Sequence, residues 1–435
     1  MKQKSCLYEF IQYTALNVFG MLGLSCYILA DTFFVSKGLG ADGLTALNLA
    51  IPVYSFVHGS GLMLGVGGAA KYAVFRGQKA QVEANKTFTN TVYLTLILSM
   101  LFVGIGVFFS ETITSLLGAD IQVFDMTNIY LKVILLFAPI FMLNDVYVCF
   151  VRNDGNPRLA MLSMLASSFI NIIFDYIFIF PCGLGIFGAV LATGFSPLVS
   201  MAILSIHLRR EDHFRFLRCG IIWTLIGKIA VLGVSSLIIE VASGIVIIVF
   251  NYIILGIQGN LGIAAYGVIA NLALVVAAIY TGVAQGMQPL VSRAFGVQDT
   301  KTIKKLLKYA MCTMTMISGL IYAVLFVWAE PIVTMFNNEG NALLQSMAVD
   351  GMRLYFSAVW FIGFNVVLSM YFTATENAVP AQIISILRGI VLVLPITFLM
   401  AYSWGINGVW LSMMVTEGIV CVLGCVVLNW KKRND

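Results

Sequence analysis

Carboxylic acids interrupt long apolar stretches of this sequence, where a charged side chain is costly to bury. Five of the twenty acidic residues fall well inside predicted membrane spans: Asp31, Asp145, Asp175, Glu240 and Glu417. A charge at the centre of a membrane helix costs about 2.5–3.5 kcal/mol on insertion scales. An ionisable residue in that position indicates an ion or substrate pathway, so these five residues are the first candidates for chemistry.

Four oxygen-bearing side chains are predicted to share one depth in the outer half of the first six spans. At 1.5 Å per residue, Asp31, Asp175 and Thr193 lie about 8, 9 and 10 Å from the outer ends of their predicted helices. Asn171 lies one turn from Asp175 on the same helix face. Carboxylates with neutral oxygens suit a hard cation such as Na⁺, or a proton. The prediction requires helices 1, 5 and 6 to be neighbours.

The other three acids are predicted to lie elsewhere. Asp145 and Glu240 are toward the inner half of their spans, where a central cavity could present them to a cationic substrate. A purely structural hydrogen bond is an equal alternative for both. Glu417 is near the middle of the last span, and we interpret it as making a local structural bond.

The segments that carry these acids define an all-α integral membrane protein. The chain has 435 residues, of which 60% are hydrophobic and 10% charged, with a mean hydropathy of +0.95. A bilayer-spanning helix needs about 20 apolar residues. Twelve such segments are predicted, at about 14–36, 47–70, 88–110, 128–151, 159–181, 186–208, 230–257, 264–290, 307–329, 350–373, 381–403 and 407–430.

Basic residues predict the orientation. With the N-terminus inside, 22 of the 25 Lys and Arg residues fall on the inner side, and only Lys37, Lys132 and Arg353 do not. This bias predicts a multi-pass protein of the cell inner (plasma) membrane with both termini in the cytoplasm. Because the positive charge reports topology, the net charge of +5 does not indicate a nucleic-acid partner.

The chain also repeats itself. Residues 65–78 resemble 282–298 at an offset of 219, and 185–191 resemble 405–411 at an offset of 220. Internal repeats are common in transporters. They predict two six-helix lobes, 1–213 and 214–435, related by a pseudo-two-fold axis along the membrane normal. The basic stretch 207–228 would be the linker between them.

The two halves differ in their acids. Asp31, Asp145 and Asp175 of the first half pair with Asn251, Asn365 and Pro395 of the second half at the same offset. The second half therefore lacks all three acids, which predicts that ion coupling resides in the first lobe alone.

Several motifs resemble the multidrug and toxic compound extrusion (MATE) transporters, in their DinF-like and MepA-like branch. The motifs lie at 30–52, 152–161, 170–180 and 282–296, and the resemblance covers both halves. It implies twelve helices, a central cavity and cation-coupled export. It also implies a first-lobe cation site, with Asp31, Asn171, Asp175 and Thr193 matching the family's residues. Glu240 resembles an acid of the NorM-like branch in a looser match, whereas Asp145 departs from the commonest pattern.

The resulting prediction is an antiporter that exports organic, often cationic and amphipathic, compounds in exchange for Na⁺ or H⁺. It would act as a monomer in the lipid bilayer, with no cofactor beyond the coupling ion. One alternative is a lipid-linked oligosaccharide flippase, which would need a more basic cavity; Arg388 is the basic residue nearest to one. An intramembrane enzyme is disfavoured because the chain has three histidines and neither an HExxH motif nor a CxxC pair.

Overall fold

The computed structural model describes residues 5–208, 213–337 and 340–434, and within them the chain is helical with no strand. The helices of the first half are α1 (Cys6–Gly77), α2 (Gln81–Leu116), α3 (Phe124–Leu136), α4 (Ala138–Asn153), α5 (Pro157–Ile179) and α6 (Gly185–Leu208). Those of the second half are α7 (Trp223–Gly296), α8 (Thr300–Val327), α9 (Ala329–Phe336), α10 (Ala342–Tyr355), α11 (Val359–Ala374), α12 (Ala378–Ile386) and α13 (Val393–Asn434). Of the basic residues used to predict topology, Lys2, Lys4, Arg209 and Arg210 lie outside the described residues.

These helices form twelve membrane crossings, as the sequence predicts. Within the described ranges, eight helical segments are long and apolar enough to cross a membrane, and α3 with α4 forms a ninth that is bent by 50°. Three of the segments turn back at a glycine with non-helical backbone angles, namely Gly40, Gly259 and Gly405. Each of these three therefore supplies two crossings. The bend between α3 and α4 was not predicted; Pro139, at the start of α4, cannot continue the hydrogen bonding of α3.

The predicted internal repeat is confirmed in the backbone. Gly40 and Gly259 occupy equivalent positions and have φ of 68° and 63°. Gly185 and Gly405 form a second equivalent pair, with φ of 59° and 58°. Positive φ is accessible to glycine without the steric cost that a Cβ brings. The two halves thus turn at the same places, which supports two six-helix lobes of one design.

The lobes approach each other closely where α1 and α7 end. A Cβ built on Gly77 would lie 2.5 Å from the carbonyl oxygen of Arg293, and one on Gly296 would clash with the carbonyl of Val74. Gly77 and Gly296 are themselves equivalent in the repeat. The pseudo-two-fold axis therefore passes between them, and the lack of side chains lets the two backbones touch.

The linker between the lobes lies on the first lobe. Residues 214–222 form no helix. Phe214 is fully buried beside Phe88, with ring centroids 4.4 Å apart. The backbone N–H groups of Leu217 and Ile222 donate to the side chains of Thr89 and Asn90 on α2, at 2.9 and 2.8 Å. The domain boundary at 213 and 214 stays a prediction.

Candidate cation and substrate sites

The four residues of the predicted cation site lie on packed helices of the first lobe. α1, α5 and α6 contact one another. The three helices that must be neighbours for a shared site are therefore neighbours. Asn171 and Asp175 are fully buried, and Asp31 and Thr193 are nearly so. Asp31 and Asp175 interact electrostatically with each other. Tyr130, on α3, interacts with both carboxylates and with Thr193.

Several polar atoms of these side chains have no hydrogen-bond partner among the described residues. Among the described residues, Asp31 Oδ1, both oxygens of Asp175 and both polar atoms of the Asn171 amide are buried without a hydrogen bond. Within those residues, neither carboxylate forms an ion pair with a basic side chain. An isolated buried carboxylate carries a large desolvation cost unless it is neutralised. The pair therefore needs a cation or protons to neutralise it.

The donor set fits a small hard cation. The orphaned oxygens of Asp31, Asn171 and Asp175 offer carboxylate and amide ligands, which Na⁺ and other hard cations prefer. The Thr193 hydroxyl donates its proton to Ala189 O at 3.2 Å, which leaves its oxygen lone pairs available. Tyr130 was not predicted, since a tyrosine in an apolar span resembles an ordinary packing residue.

Asp145 lies in a second polar group of the same lobe. Its partner in this group was not predicted from the sequence. The carboxylate Oδ2 is 2.9 Å from Nδ1 of His58 on α1. Gly61 allows this approach, because a Cβ there would lie 2.5 Å from the same oxygen. The His58 ring stacks on Tyr54, with centroids 5.8 Å apart and an interplanar angle of 6°. His58 and Asp145 are 87 residues apart, so no local spacing links them.

Glu240 approaches this group from the second lobe. It lies on α7, against Gly59 of α1, where a built Cβ would be 3.0 Å from the Glu240 Cβ. Its charge interacts with both His58 and Asp145. The structure thus brings together the two acids that the sequence assigned to a substrate cavity, and it adds the imidazole of His58, which interacts with both.

A cavity of about 50 Å³ lies within the first lobe, beside the His58 and Asp145 pair. Its wall includes His58 and Asp145 at one part and Thr193 at another. Of the four residues of the predicted cation site, Thr193 alone lines this cavity.

The equivalent space in the second lobe is filled by an ion pair. Glu417 is 1% exposed and accepts hydrogen bonds from Arg388 at 2.8 and 3.0 Å. Asn365, the counterpart of Asp145, donates to Glu417 at 2.7 Å. Arg388 is the counterpart of Ser168, which lines the first-lobe cavity. Glu417 therefore has a local structural partner, and the two lobes differ in their polar interiors.

Polar contacts join the lobes at the end where the basic loops lie. Arg152 is buried and its guanidinium donates to Asn17 at 3.0 Å and to Gln285 of the second lobe at 2.5 Å. Asn153 donates to Gln288 of the second lobe at 2.9 Å. These contacts seal the interior of the molecule from that side.

Two ion pairs reinforce the seal between the lobes. Lys71 of the first lobe pairs with Glu376 of the second at 2.8 Å, and Arg293 of the second lobe pairs with Glu9 of the first at 2.8 Å. Separation of the lobes at this end would break both pairs.

Asp154, in the loop after α4, anchors the linker. Its carboxylate accepts hydrogen bonds from Tyr72 at 2.5 Å, His207 at 3.0 Å, His213 at 2.8 Å and the Phe214 backbone at 3.2 Å. Burial by itself would raise the pKa of Asp154, but the hydrogen bonds from His207 and Tyr72 outweigh it and hold this pKa below its usual value.

Asp154, His207 and His213 could each offer a metal ligand, since the three atoms lie within 4.8 Å of one another. The tautomer of His207 favours a hydrogen-bonded anchor instead. The Asn156 side-chain oxygen caps α5 by accepting from Leu159 N at 3.2 Å, so its amide nitrogen faces Nδ1 of His207 at 3.4 Å. Nδ1 then accepts, and the proton resides on Nε2, which points at Asp154.

Two lobes of six membrane helices, with unpartnered carboxylates buried inside one of them, define a membrane transporter. The MatE family model matches residues 17–177 and 234–421, which is most of the chain, and the chain belongs to this family. The predicted MATE resemblance is thereby confirmed. A transporter family also agrees with the prediction that the protein is not an enzyme.

The relatives agree with this assignment. The chain is 26% identical over 436 residues to "Multidrug export protein MepA" of Staphylococcus saprophyticus, covering 99% of this chain and 95% of that protein. It is 24% identical to the protein of the same name from Staphylococcus aureus strain MRSA252, with the same coverage.

Solved structures share the fold. A MATE structure in complex with MaL6 superposes with a TM-score of 0.92 at 22% identity, and covers 97% of this chain and 95% of that chain. An outward-facing multidrug resistance MATE transporter gives a TM-score of 0.89 at 23% identity with the same coverage. At these identities the likeness concerns the fold.

Proposed function

We propose that this protein is a cation-coupled antiporter that exports organic, often cationic and amphipathic, compounds in exchange for Na⁺ or H⁺. The observation that carries the proposal is the buried Asp31 and Asp175 pair, whose oxygens lack hydrogen-bond and ion-pair partners among the described residues. Such a pair is stable in a membrane interior only when it is neutralised, so binding and release of a cation must change the energy of the first lobe.

Coupling follows if the cation and the substrate favour different conformations. A ligand shifts an equilibrium only by its difference in affinity between two states. Binding at Asp31 and Asp175 would neutralise the faces of α1 and α5 that pack together, and this changes the cavity bounded by Thr193 and His58. Bound cation would therefore weaken the hold of the cavity on the substrate, and bound substrate would weaken cation binding to the same degree.

Alternating access requires the lobes to separate at the end with the basic loops. The Lys71–Glu376 and Arg293–Glu9 ion pairs lie across that seam, and the buried Arg152 makes hydrogen bonds across it. Breaking these contacts would give access from the side predicted to be cytoplasmic.

The acids around the cavity favour a cationic substrate. Asp145 lines it, and Glu240 of the second lobe interacts electrostatically with Asp145 and with His58. Arg388, the basic residue that a flippase for anionic lipid-linked sugars would need, is engaged with Glu417. The relatives are named multidrug export proteins, which supports small organic substrates for this chain.

The proposal also covers the oligomeric state, the membrane and the orientation of the protein. The protein would act as a monomer in the plasma membrane, with both termini in the cytoplasm, and with no cofactor beyond the coupling ion. The basic asymmetry of the loops supports this orientation.

Efflux from proteoliposomes tests the proposal. The purified protein is reconstituted and export of ethidium is followed under an imposed Na⁺ gradient, then under an imposed pH gradient without Na⁺. We expect one of the gradients to drive export and Asp31→Asn to abolish that response. Asp42→Asn is the matched control, because Asp42 is exposed on the same helix beyond the Gly40 break. Export that ignores both gradients would refute an antiporter.

A further inference from the structure

His58 places a basic ring against the acids of the candidate substrate site. Its Nδ1 is 2.9 Å from Asp145 Oδ2, and Glu240 adds a second negative charge nearby. We propose that the protonated His58 side chain competes with the substrate. It occupies the cation-binding end of the substrate site, and an incoming aromatic cation must displace it. This inference rests on the proposed export of organic cations and assigns a specificity-determining residue to it.

The aromatic surface beneath His58 is held in place independently of His58. The Tyr54 hydroxyl lies 3.3 Å from the Tyr27 hydroxyl, and Phe141 packs edge-on against the Tyr54 ring with centroids 5.7 Å apart. The remaining face of Tyr54 carries the His58 ring in a nearly parallel stack. When the imidazole swings away, a flat aromatic face and a carboxylate are left side by side. Those two features together recognise a planar aromatic cation.

The space in the lobe explains why displacement is required. The cavity beside His58 has about 50 Å³. A water molecule needs roughly 10–15 Å³ on the same measure, so this cavity holds a few waters and no fused aromatic ring. A bulky substrate must therefore take the volume of the imidazole. The side chain of Asp145 stays where it is, because α4 packs closely against Gly61 and Gly65 of α1.

The charges that face His58 determine the sign of the pH effect. They are Asp145 on α4 and Glu240 on α7, and the hydroxyls of Tyr54 and Tyr27 on α1 are the other titratable groups beside it. An imidazolium offsets one unit of the negative charge that the acids present to a substrate, whereas a neutral imidazole offsets none. Cation affinity should therefore rise as the pH rises and His58 loses its proton. Replacing His58 with a neutral residue should produce the high-affinity form at every pH.

The experiment measures equilibrium binding of ethidium to the purified full-length protein in potassium buffer between pH 5.5 and 8.5. For the wild type, one displaced proton per bound dye gives a dissociation constant that falls by up to about tenfold per pH unit. For His58→Gln we expect a flat pH profile, and at the acidic end we expect binding tighter than that of the wild type by the whole factor over which the wild-type constant falls across the pH range. His58→Asn is the second variant, in case His58→Gln fails to fold, and gel-filtration elution reports folding for each.

Two comparisons complete the test. Asp145→Asn should weaken ethidium binding, because it removes the carboxylate that either cation uses. His213→Gln makes the same change at a histidine of the linker, and should keep the wild-type pH profile.

The outcomes separate this inference from the proposed function. Weaker binding in His58→Gln, or a pH profile equal to that of the wild type, would overturn the competitor role. Gradient-driven export by the wild type, measured in proteoliposomes, would still support the antiporter in that case. A wild-type protein that does not bind ethidium at any pH would overturn the inference too.

Discussion

The Asp154 anchor makes a quantitative prediction about the linker. One carboxylate fastens residues 213 and 214 to the first lobe through hydrogen bonds from His213 and from the Phe214 backbone. Asp154→Asn replaces an acceptor oxygen with an N–H donor and removes the negative charge. A hydrogen bond to a charged group contributes about 1.5–3 kcal/mol, so losing one net bond should make detachment of the linker roughly 10- to 150-fold more frequent.

Limited trypsin digestion detects that detachment. Arg215 and Arg218 lie in the linker, and cleavage there requires the segment to leave the lobe surface. When opening and closing are fast, the cleavage rate follows the population of the open form. Asp299→Asn is the control, because Asp299 caps α8 on another loop and does not contact the linker. Cleavage of Asp154→Asn at the wild-type rate would refute the anchor.

The same anchor predicts a pH dependence, whose sign follows from the pKa of Asp154. Hydrogen bonds hold this pKa below its usual value in the folded protein. The carboxylate therefore stabilises the docked linker above the ordinary pKa of an aspartate, and this stabilisation is lost as the pH falls through the lowered folded-state value. Linker cleavage by an acid-active protease should rise across that acidic range in the wild type, and Asp154→Asn should show no such rise.

Three further predictions concern other parts of the chain. Asn171→Ala and Thr193→Ala each remove a neutral ligand while both carboxylates remain, so Na⁺ affinity should fall by about 1–3 kcal/mol, or tenfold to a hundredfold. Transport that keeps the wild-type dependence on both Na⁺ and pH in these variants would contradict a four-residue site. Glu417→Gln leaves the partly buried Arg388 without its counter-charge, and should destabilise the protein by up to roughly 3–5 kcal/mol in thermal unfolding; an unchanged melting temperature would contradict this. A cysteine at Asp120 should react with an impermeant maleimide added outside intact cells, and labelling only after lysis would contradict the topology.

Much of the fold follows from the sequence, because membrane helices are specified by local composition. The twelve apolar segments and the two-fold repeat are both found in the structure, down to matching turns at Gly40 and Gly259. The bend between α3 and α4 was missed, since the apolar run continues unbroken through Pro139. A hydropathy pattern reports that a segment crosses the membrane, not whether it crosses as one straight helix.

The polar sites were only partly accessible to sequence reasoning. Asp31 and Asp175 stood out because an acid in an apolar run is conspicuous, and matched depth suggested that they meet. His58 and Asp154 did not stand out, because their importance comes from partners 87 and 53 residues away in the chain. Such pairs depend on tertiary packing, and no local spacing announces them.

Direct measurement of cation binding tests the central claim, that the Asp31 and Asp175 pair holds the coupling ion. Binding of radioactive ²²Na⁺ and the release or uptake of protons are measured on the same purified protein, without substrate, across the neutral pH range. We expect the wild type to bind Na⁺ or to exchange protons, and we expect Asp31→Asn and Asp175→Asn each to lose this signal while Asp42→Asn keeps it. Wild-type cation and proton binding in the variant that carries both substitutions, Asp31→Asn and Asp175→Asn, would contradict it.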